Sequence, residues 1–98
     1  MKLTLKKTQL ENSEALEEYT RKKISSLEKL AGKFGESVEA WVEIGRATRH
    51  HQEGEIFRAE VDLRVPGKIL RAEAEATDVY RAVDEAKDEL ERQLREYR

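Results

Sequence analysis

The sequence predicts an α+β fold, a two-layer sandwich in which two helices cover one face of a four-stranded sheet. Two stretches repeat apolar residues every three or four positions, which is typical of helices with one buried face. Four stretches alternate apolar and polar residues, which is typical of strands with one buried face. Their order along the chain is β-α-β-β-β-α, and a right-handed crossover would make the first two strands parallel.

The N-terminal third contains the first strand and the first helix. Residues 2–9 alternate and predict a short strand. Asn12 and Ser13 have the short, oxygen-bearing side chains that cap helix starts, so the first helix is predicted over residues 14–31. Gly32 is predicted to end this helix in a left-handed conformation.

Three further strands are predicted over residues 38–45, 56–65 and 68–76. The last two are joined by Pro66 and Gly67. Proline presets φ at the first central position of a turn and glycine supplies a positive φ at the second, which is the pattern of a type II turn. These strands are therefore predicted to form an antiparallel meander.

The turn also predicts a register, in which Val65 pairs with Lys68. This register places apolar residues opposite each other on the core face, and a slip of one residue would turn them to solvent. On the open face it creates two complementary charge pairs and one like-charge pair. These are Asp62 with Arg71, Arg58 with Glu75, and Glu60 with Glu73.

The second helix is predicted from Thr77 and Asp78, either of which can cap it, to the last residue. Its apolar residues form one stripe and its other face is almost wholly charged. The charged face contains two pairs at i, i+4 in the favourable order. They are Asp88 with Arg92 and Glu91 with Arg95.

The composition limits the classes of function. The 98 residues suit one domain, and charged residues make up 41% of the chain with a formal net charge of −2. The chain lacks cysteine and any apolar run that could span a membrane or act as a signal peptide, so a cytoplasmic protein without a membrane partner is expected. It also lacks a glycine-rich phosphate loop and a nucleophile elbow, so we expect no enzyme, cofactor or small-molecule substrate.

The stretch RATRHHQEGE contains His50 and His51 beside two glutamates. Neighbouring side chains on an extended chain point in opposite directions, which argues against a shared metal ion and favours a polar hairpin tip. A third interpretation is an RNA contact, with Arg46, Arg49 and His50 donating to phosphate or sugar.

Trp41 is predicted to lie on the open face of the sheet. We expect it to cover the outer surface beside Ile56 or Ile69. Stacking on a nucleobase is the less favoured alternative, because a single aromatic residue without aromatic neighbours is not the stacking platform of known RNA-binding sheets.

The two helices hold most of the remaining basic residues. Side by side they would form one basic ridge able to follow a phosphate backbone. A solvent face with ion pairs is the alternative, and composition leaves both open. The residues concerned are Arg21, Lys22, Lys23 and Lys29 on the first helix, and Arg81, Lys87, Arg92, Arg95 and Arg98 on the second.

Several stretches, in this order and spacing, carry a family resemblance. They are KLTLKKTQLENSEALEEYTRKKISSLEKL, RATRHH and RAEAEATDVYRAVDEAKDELERQL, of which DVYRAVD at residues 78–84 and LERQL at residues 90–94 are the most specific. These two are similar to the Asp-x-Tyr-x-Ala-Ile-Asp and Leu-x-Arg-Gln-Leu patterns of one family. The sequence thus resembles the ribosome hibernation-promoting factors, also called ribosome-associated inhibitors.

The resemblance implies a fold related to double-stranded-RNA-binding domains and a single ribosome-binding domain over residues 1–98. It implies binding in the mRNA and tRNA channel of the small ribosomal subunit, which would block translation and preserve inactive ribosomes. The implied partners are that subunit and its ribosomal RNA, with a monomer when free. Lys23, Lys29 and Arg92 are carried over at matching positions as RNA contacts, and Tyr80 as a packing anchor. The neighbouring basic residues are added on charge and position alone.

Four positions depart from the family pattern. Glu89 and Glu96 stand where the second helix usually carries lysine, and Glu17 and Ser26 where the first is often basic. Fewer neutralised phosphates would mean weaker and less salt-dependent binding. The chain resembles a short form or the N-terminal domain of a long form. The alternatives are a general double-stranded-RNA-binding domain, or an engineered or idealised version of the fold without an active partner, which the highly charged surface leaves open.

Overall fold

The computed structural model describes residues 1–34, 38–47 and 54–97. The strands follow the order β1-β2-β3-β4 in one sheet, and the helices cover one of its faces, as predicted. The elements are β1 (Lys2–Thr8), α1 (Glu14–Ser25), α2 (Glu28–Ala31), a 3₁₀ turn (Gly32–Phe34), β2 (Glu39–Arg46), β3 (Phe57–Val65), β4 (Lys68–Ala76) and α3 (Val79–Glu96). No helix in the described ranges has both the length and the apolar character needed to cross a bilayer.

The sheet has the predicted topology and register. Strands β1 and β2 are parallel, and β2, β3 and β4 form the antiparallel meander. Val65 pairs with Lys68, and each predicted pair along β3 and β4 follows from it. The unfavourable pair of Glu60 and Glu73 is relieved by Arg58, whose Nη2 lies 3.0 Å from one carboxylate and 2.8 Å from the other. The like charges therefore share one cation.

Two glycines are required by the local geometry. Gly67 has φ of +80°, which fits the second central position of the predicted turn. Gly45 lies where β2 approaches the end of β1, and a Cβ placed there would be only 2.5 Å from the carbonyl oxygen of Thr8. A side chain at this position would push the two parallel strands apart.

The first predicted helix is broken in the structure. Ser13 caps α1 and accepts a hydrogen bond from Leu16 N at 3.2 Å, as expected. At residue 26 the helix tightens, because the Ser26 hydroxyl bonds the carbonyl of Lys23 and Leu27 N bonds the carbonyl three residues before it. Helix α2 then resumes at Glu28, so the prediction of one continuous helix was wrong at this point.

The prediction for Gly32 was also wrong. This residue is right-handed, with φ of −57° and ψ of −25°, and the chain continues into the 3₁₀ turn. Tertiary contacts explain the continuation. The Phe34 ring packs 5.3 Å from the Tyr97 ring, and Lys33 Nζ donates to the carbonyl oxygens of Leu94 at 3.3 Å and Tyr97 at 3.1 Å. These contacts join the 3₁₀ turn to the C-terminus of α3, where a cation is favourable.

One hydrophobic core lies between the helices and the sheet. Helix α3 packs on β3 and β4, and α1 lies against β1 and α3. The side chains of Ile24, Leu90 and Leu94 are fully buried against strand residues such as Val61 and Leu63. Full burial of side chains of this size stabilises a fold by roughly 1.5–3 kcal/mol each. The core therefore fixes α1 and α3 side by side, with their charged faces turned outward.

Candidate nucleic-acid interface

A polar cluster joins the middle of α1 to the first two turns of α3. The Tyr19 hydroxyl donates to Asp84 Oδ1 at 2.6 Å, and Lys23 Nζ lies 3.5 Å from the same oxygen. The Tyr19 ring also packs edge-on against Tyr80, with 4.9 Å between centroids. The hydrogen bond to Asp84 and partial burial raise the pKa of Tyr19 to about 12. This cluster fixes the direction of Lys23, which has Asp84 on one side and the Tyr19 ring 5.7 Å away.

The structure shows the contacts of several residues in the DVYRAVD stretch, residues 78–84. Asp78 caps α3 by accepting from Tyr80 N at 2.8 Å, which confirms the predicted cap. Tyr80 packs on α1, so its predicted role as a packing anchor is confirmed. Ala82 is fully buried, and Asp84 holds Tyr19 and Lys23. Asp78 thus begins α3 and Ala82 belongs to the core, whereas Tyr80 and Asp84 join α3 to α1.

Every predicted basic residue of α3 within the described residues has a carboxylate partner. The pairs are Arg81 with Glu85 at 3.2 Å, Lys87 with Glu91 at 3.2 Å and with Asp88 at 3.7 Å, Arg95 with Glu91 at 3.2 Å, and Arg92 with Glu89 and Glu96. The predicted pair of Glu91 with Arg95 is thus present. The predicted pair of Asp88 with Arg92 was wrong, because Arg92 turns to two other glutamates at helical spacing.

The basic residues on α1 and α2 are less engaged. Arg21 lies 3.5 Å from Glu17. Lys22 and Lys29 are exposed, and neither has a carboxylate within 4.0 Å in the part of the chain that the structure describes. On this side of the helix layer, two cations therefore face solvent without an ion-pair partner among those residues, whereas α3 carries more acids than bases.

Only part of the stretch RATRHHQEGE, in which RNA donors were predicted, lies within the described residues. Arg46 donates through Nε to the carbonyl of Gln9 at 3.2 Å and also pairs with Glu55. Gln9 directly follows β1 and has a positive φ of 56°, so Arg46 donates a hydrogen bond to a residue in the left-handed conformation. The other two donors predicted for RNA, Arg49 and His50, lie outside the described residues. The described ranges hold no group of three or more side chains able to bind a metal ion.

Trp41 lies on the open face of the sheet, with 39% of its surface exposed. It borders a shallow hollow of about 200 Å³ with Thr4, Asp62 and other residues of the sheet. Its cross-strand neighbours are Thr4 and Asp62, while Ile69 pairs with Arg64. The expectation that Trp41 lies beside Ile56 or Ile69 was wrong. Ile69 lies on β4, two strands away from Trp41 on β2, and Ile56 precedes β3 and bonds Ala47 beyond the other end of β2.

Sequence reasoning missed the contacts that position the candidate residues. Tyr19 and Asp84 are 65 residues apart, and no local signal joins them. The partners of Arg92 had a signal, because Glu89 and Glu96 stand three residues before and four residues after it. The role of every candidate residue as an RNA contact stays a prediction.

Comparison with known proteins places this architecture among related sequences. The family model described as "Sigma 54 modulation protein / S30EA ribosomal protein" matches residues 3–98. A ribosome hibernation promotion factor of Deinococcus radiodurans is 38% identical over 90 residues, covering 91% of this chain and 44% of that protein. Proteins of the same name from Lactococcus lactis and Bacillus subtilis are 31% and 30% identical, and cover 100% of this chain and 50% and 49% of their own length. The chain thus spans about half the length of these curated relatives.

Two solved structures share the fold. The N-terminal domain of Thermus thermophilus Protein Y aligns over 100% of both chains, with a TM-score of 0.79 and 30% identity. A ribosomal subunit interface protein from Coxiella burnetii aligns over 99% of this chain and 97% of its own, with a TM-score of 0.70. At 23% identity the second likeness shows the fold alone.

Proposed function

Because this chain belongs to the S30EA ribosomal protein family, whose model matches residues 3–98, we propose that it is a ribosome hibernation factor. It binds the small ribosomal subunit in the mRNA and tRNA channel, blocks translation and preserves inactive ribosomes. The family match is the observation that carries the proposal. The mechanism needs no catalysis, since a rigid body that occupies the channel excludes the substrates of translation. Its place of action would be the cytoplasm, where translating ribosomes are found.

The shape and charge of the helix layer support this mechanism. The molecule measures 43 × 26 × 17 Å along its principal axes, and its two long helices are fixed by the core and by the cluster around Asp84. Lys22 and Lys29 are exposed on this layer, and Lys23 is held beside Asp84. Lysines on a rigid surface can neutralise phosphates, and such contacts position a protein on RNA without reading its sequence.

Sedimentation with purified ribosomes over a salt series tests the proposal. The variant Lys22→Glu/Lys29→Glu reverses two cations that have no carboxylate partner within the described residues, so its fold should persist. Its matched control, Lys2→Glu/Lys6→Glu, makes the same change of charge on the exposed open face of the sheet. We expect the wild-type chain to sediment with small subunits, the helix variant to lose affinity, and the control to bind nearly as well.

The outcomes separate the rival functions. Wild-type chain that stays in the supernatant at low salt, with native circular dichroism, would refute the ribosome proposal and favour a fold without an active partner. Binding to naked duplex RNA as tight as binding to small subunits would favour a general double-stranded-RNA-binding domain. Equal losses in the helix variant and in the sheet control would refute the helix layer as the interface.

A further inference from the structure

Two glutamates hold the guanidinium group of Arg92 on the exposed face of α3. We propose that Glu89 and Glu96 are positioning residues that compete with ribosomal RNA phosphate for Arg92, and so set the affinity of the chain and its dependence on salt. The inference rests on the proposed function. Neither carboxylate would contact the RNA itself. Both would act through Arg92, the cation that lies between them.

The geometry leaves few donors of Arg92 free. Nε donates to Glu89 Oε2 at 3.0 Å and Nη2 donates to the second oxygen of the same carboxylate, which is a two-point contact. Nη1 donates to Glu96 Oε2 at 2.9 Å from the following turn. Three of the five N–H donors of Arg92 are therefore engaged, and Glu89 occupies the Nε and Nη2 pair. A phosphate that binds this pair has to displace Glu89, since paired donors are what make arginine a good ligand for phosphate.

A further hydrogen bond holds Glu89 in place. Gln93 Nε2 lies 3.3 Å from Glu89 Oε1 and 2.8 Å from the carbonyl oxygen of Arg71 on β4. The amide therefore links the carboxylate to the sheet. This link favours the observed side-chain direction of Glu89. It therefore restricts the side chain to a conformation in which it contacts Arg92.

The charge balance of this group opposes RNA. One guanidinium stands between two carboxylates, so the group is negative by one charge as long as all three are ionised. Hydrogen bonds from Arg92 and Gln93 lower the pKa of Glu89 to about 2. Glu89 therefore stays ionised throughout the physiological range. The competition does not switch with pH, and it weakens only when phosphate or salt takes the place of the carboxylates.

Removing the two charges should free Arg92 for RNA. In Glu89→Gln/Glu96→Gln, the side chains keep their size while the group changes from one negative to one positive charge. We expect tighter ribosome binding at low salt. We also expect the slope of log K against log salt to steepen by about one, the value for one added phosphate contact. Over a fourfold rise in salt this corresponds to an additional loss of affinity of about fourfold.

The experiment measures ribosome binding from 50 to 200 mM salt, about the range over which phosphate contacts change affinity strongly. The control variant Glu39→Gln/Glu43→Gln removes two charges from the open face of the sheet, so it reports the effect of net charge alone. A third pair of proteins carries Arg92→Ala with and without the two glutamine substitutions. Circular dichroism checks that every variant folds.

The results distinguish this inference from the proposed function. A steeper slope in Glu89→Gln/Glu96→Gln that disappears in the Arg92→Ala background supports the competition. An unchanged slope with a wild-type chain that binds ribosomes would overturn the inference and leave the proposed function standing. A gain no larger than that of the sheet control would overturn it as well. If no variant and no wild-type chain binds, both proposals fail together.

Discussion

Replacing Tyr19 with phenylalanine tests the contact that fixes α1 on α3. The substitution removes one hydroxyl and keeps the ring that packs on Tyr80. The lost hydrogen bond is short, at 2.6 Å, and its acceptor is the carboxylate of Asp84. Hydrogen bonds to charged groups are worth roughly 1.5–3 kcal/mol, and the half-exposed position of this one reduces its value, so we expect a loss of about 1 kcal/mol.

Thermal unfolding followed by circular dichroism measures the change, since 1 kcal/mol corresponds to about 4–8 °C in a domain of this size. Tyr80→Phe is the matched control, because the Tyr80 hydroxyl has no hydrogen bond within the described residues. We expect Tyr19→Phe to lower Tm by several degrees and the control to change it little. Equal shifts in the two variants would show that the hydrogen bond from Tyr19 to Asp84 does not stabilise the fold.

Three further predictions concern a buried hydroxyl, a close approach of two strands and the pH dependence of stability. Thr20→Val should raise the free energy of unfolding by about 1 kcal/mol, because Thr20 is 0% exposed and its hydroxyl lacks a hydrogen-bond partner among the described residues. Urea unfolding measures the change, and no gain in stability would contradict the prediction. Gly45→Ala should cost at least about 1–3 kcal/mol, since its Cβ would lie 2.5 Å from Thr8 O, and an unchanged Tm would show that the strands yield easily. Above pH 10 the unfolded chain loses the Tyr19 proton before the folded chain does, so stability should fall between pH 10 and about 12; an absorbance titration in which all tyrosines ionise together near 10.0 would refute it.

The sheet could be predicted from the sequence because its signals are local. The Pro66-Gly67 turn sets the first pair of β3 and β4, and strict alternation then fixes each pair that follows. The capping side chains of Ser13 and Asp78 likewise mark helix starts within one turn. In each case, neighbouring residues alone determine the outcome.

The break and the end of the first helix depend on contacts that the periodicity of its apolar residues does not show. Periodicity continues past Ser26, yet its hydroxyl bonds the backbone and tightens the turn. Gly32 is free to adopt a left-handed conformation, but Lys33 and Phe34 make contacts with the end of α3 that keep the chain right-handed. The hydrogen bond from Lys33 to Leu94 joins residues 61 positions apart, and a local sequence pattern cannot predict it.

The sequence showed which charged residues the candidate site contains, but not which of their side chains contact each other. Three carboxylates stand at helical spacing from Arg92, namely Asp88, Glu89 and Glu96, and spacing alone does not choose among them. The choice depends on the side-chain direction of Glu89, which Gln93 and the edge of β4 determine. The partner of Lys23 depends in turn on the packing of α1 against α3.

A structure of the chain bound to ribosomes would show directly where the chain binds and which face meets ribosomal RNA. We expect density for the chain in the mRNA and tRNA channel of the small subunit, with the helix layer that carries Lys22, Lys23 and Lys29 turned toward ribosomal RNA. Density at another site, or a complex in which the sheet face with Trp41 meets the RNA, would contradict it.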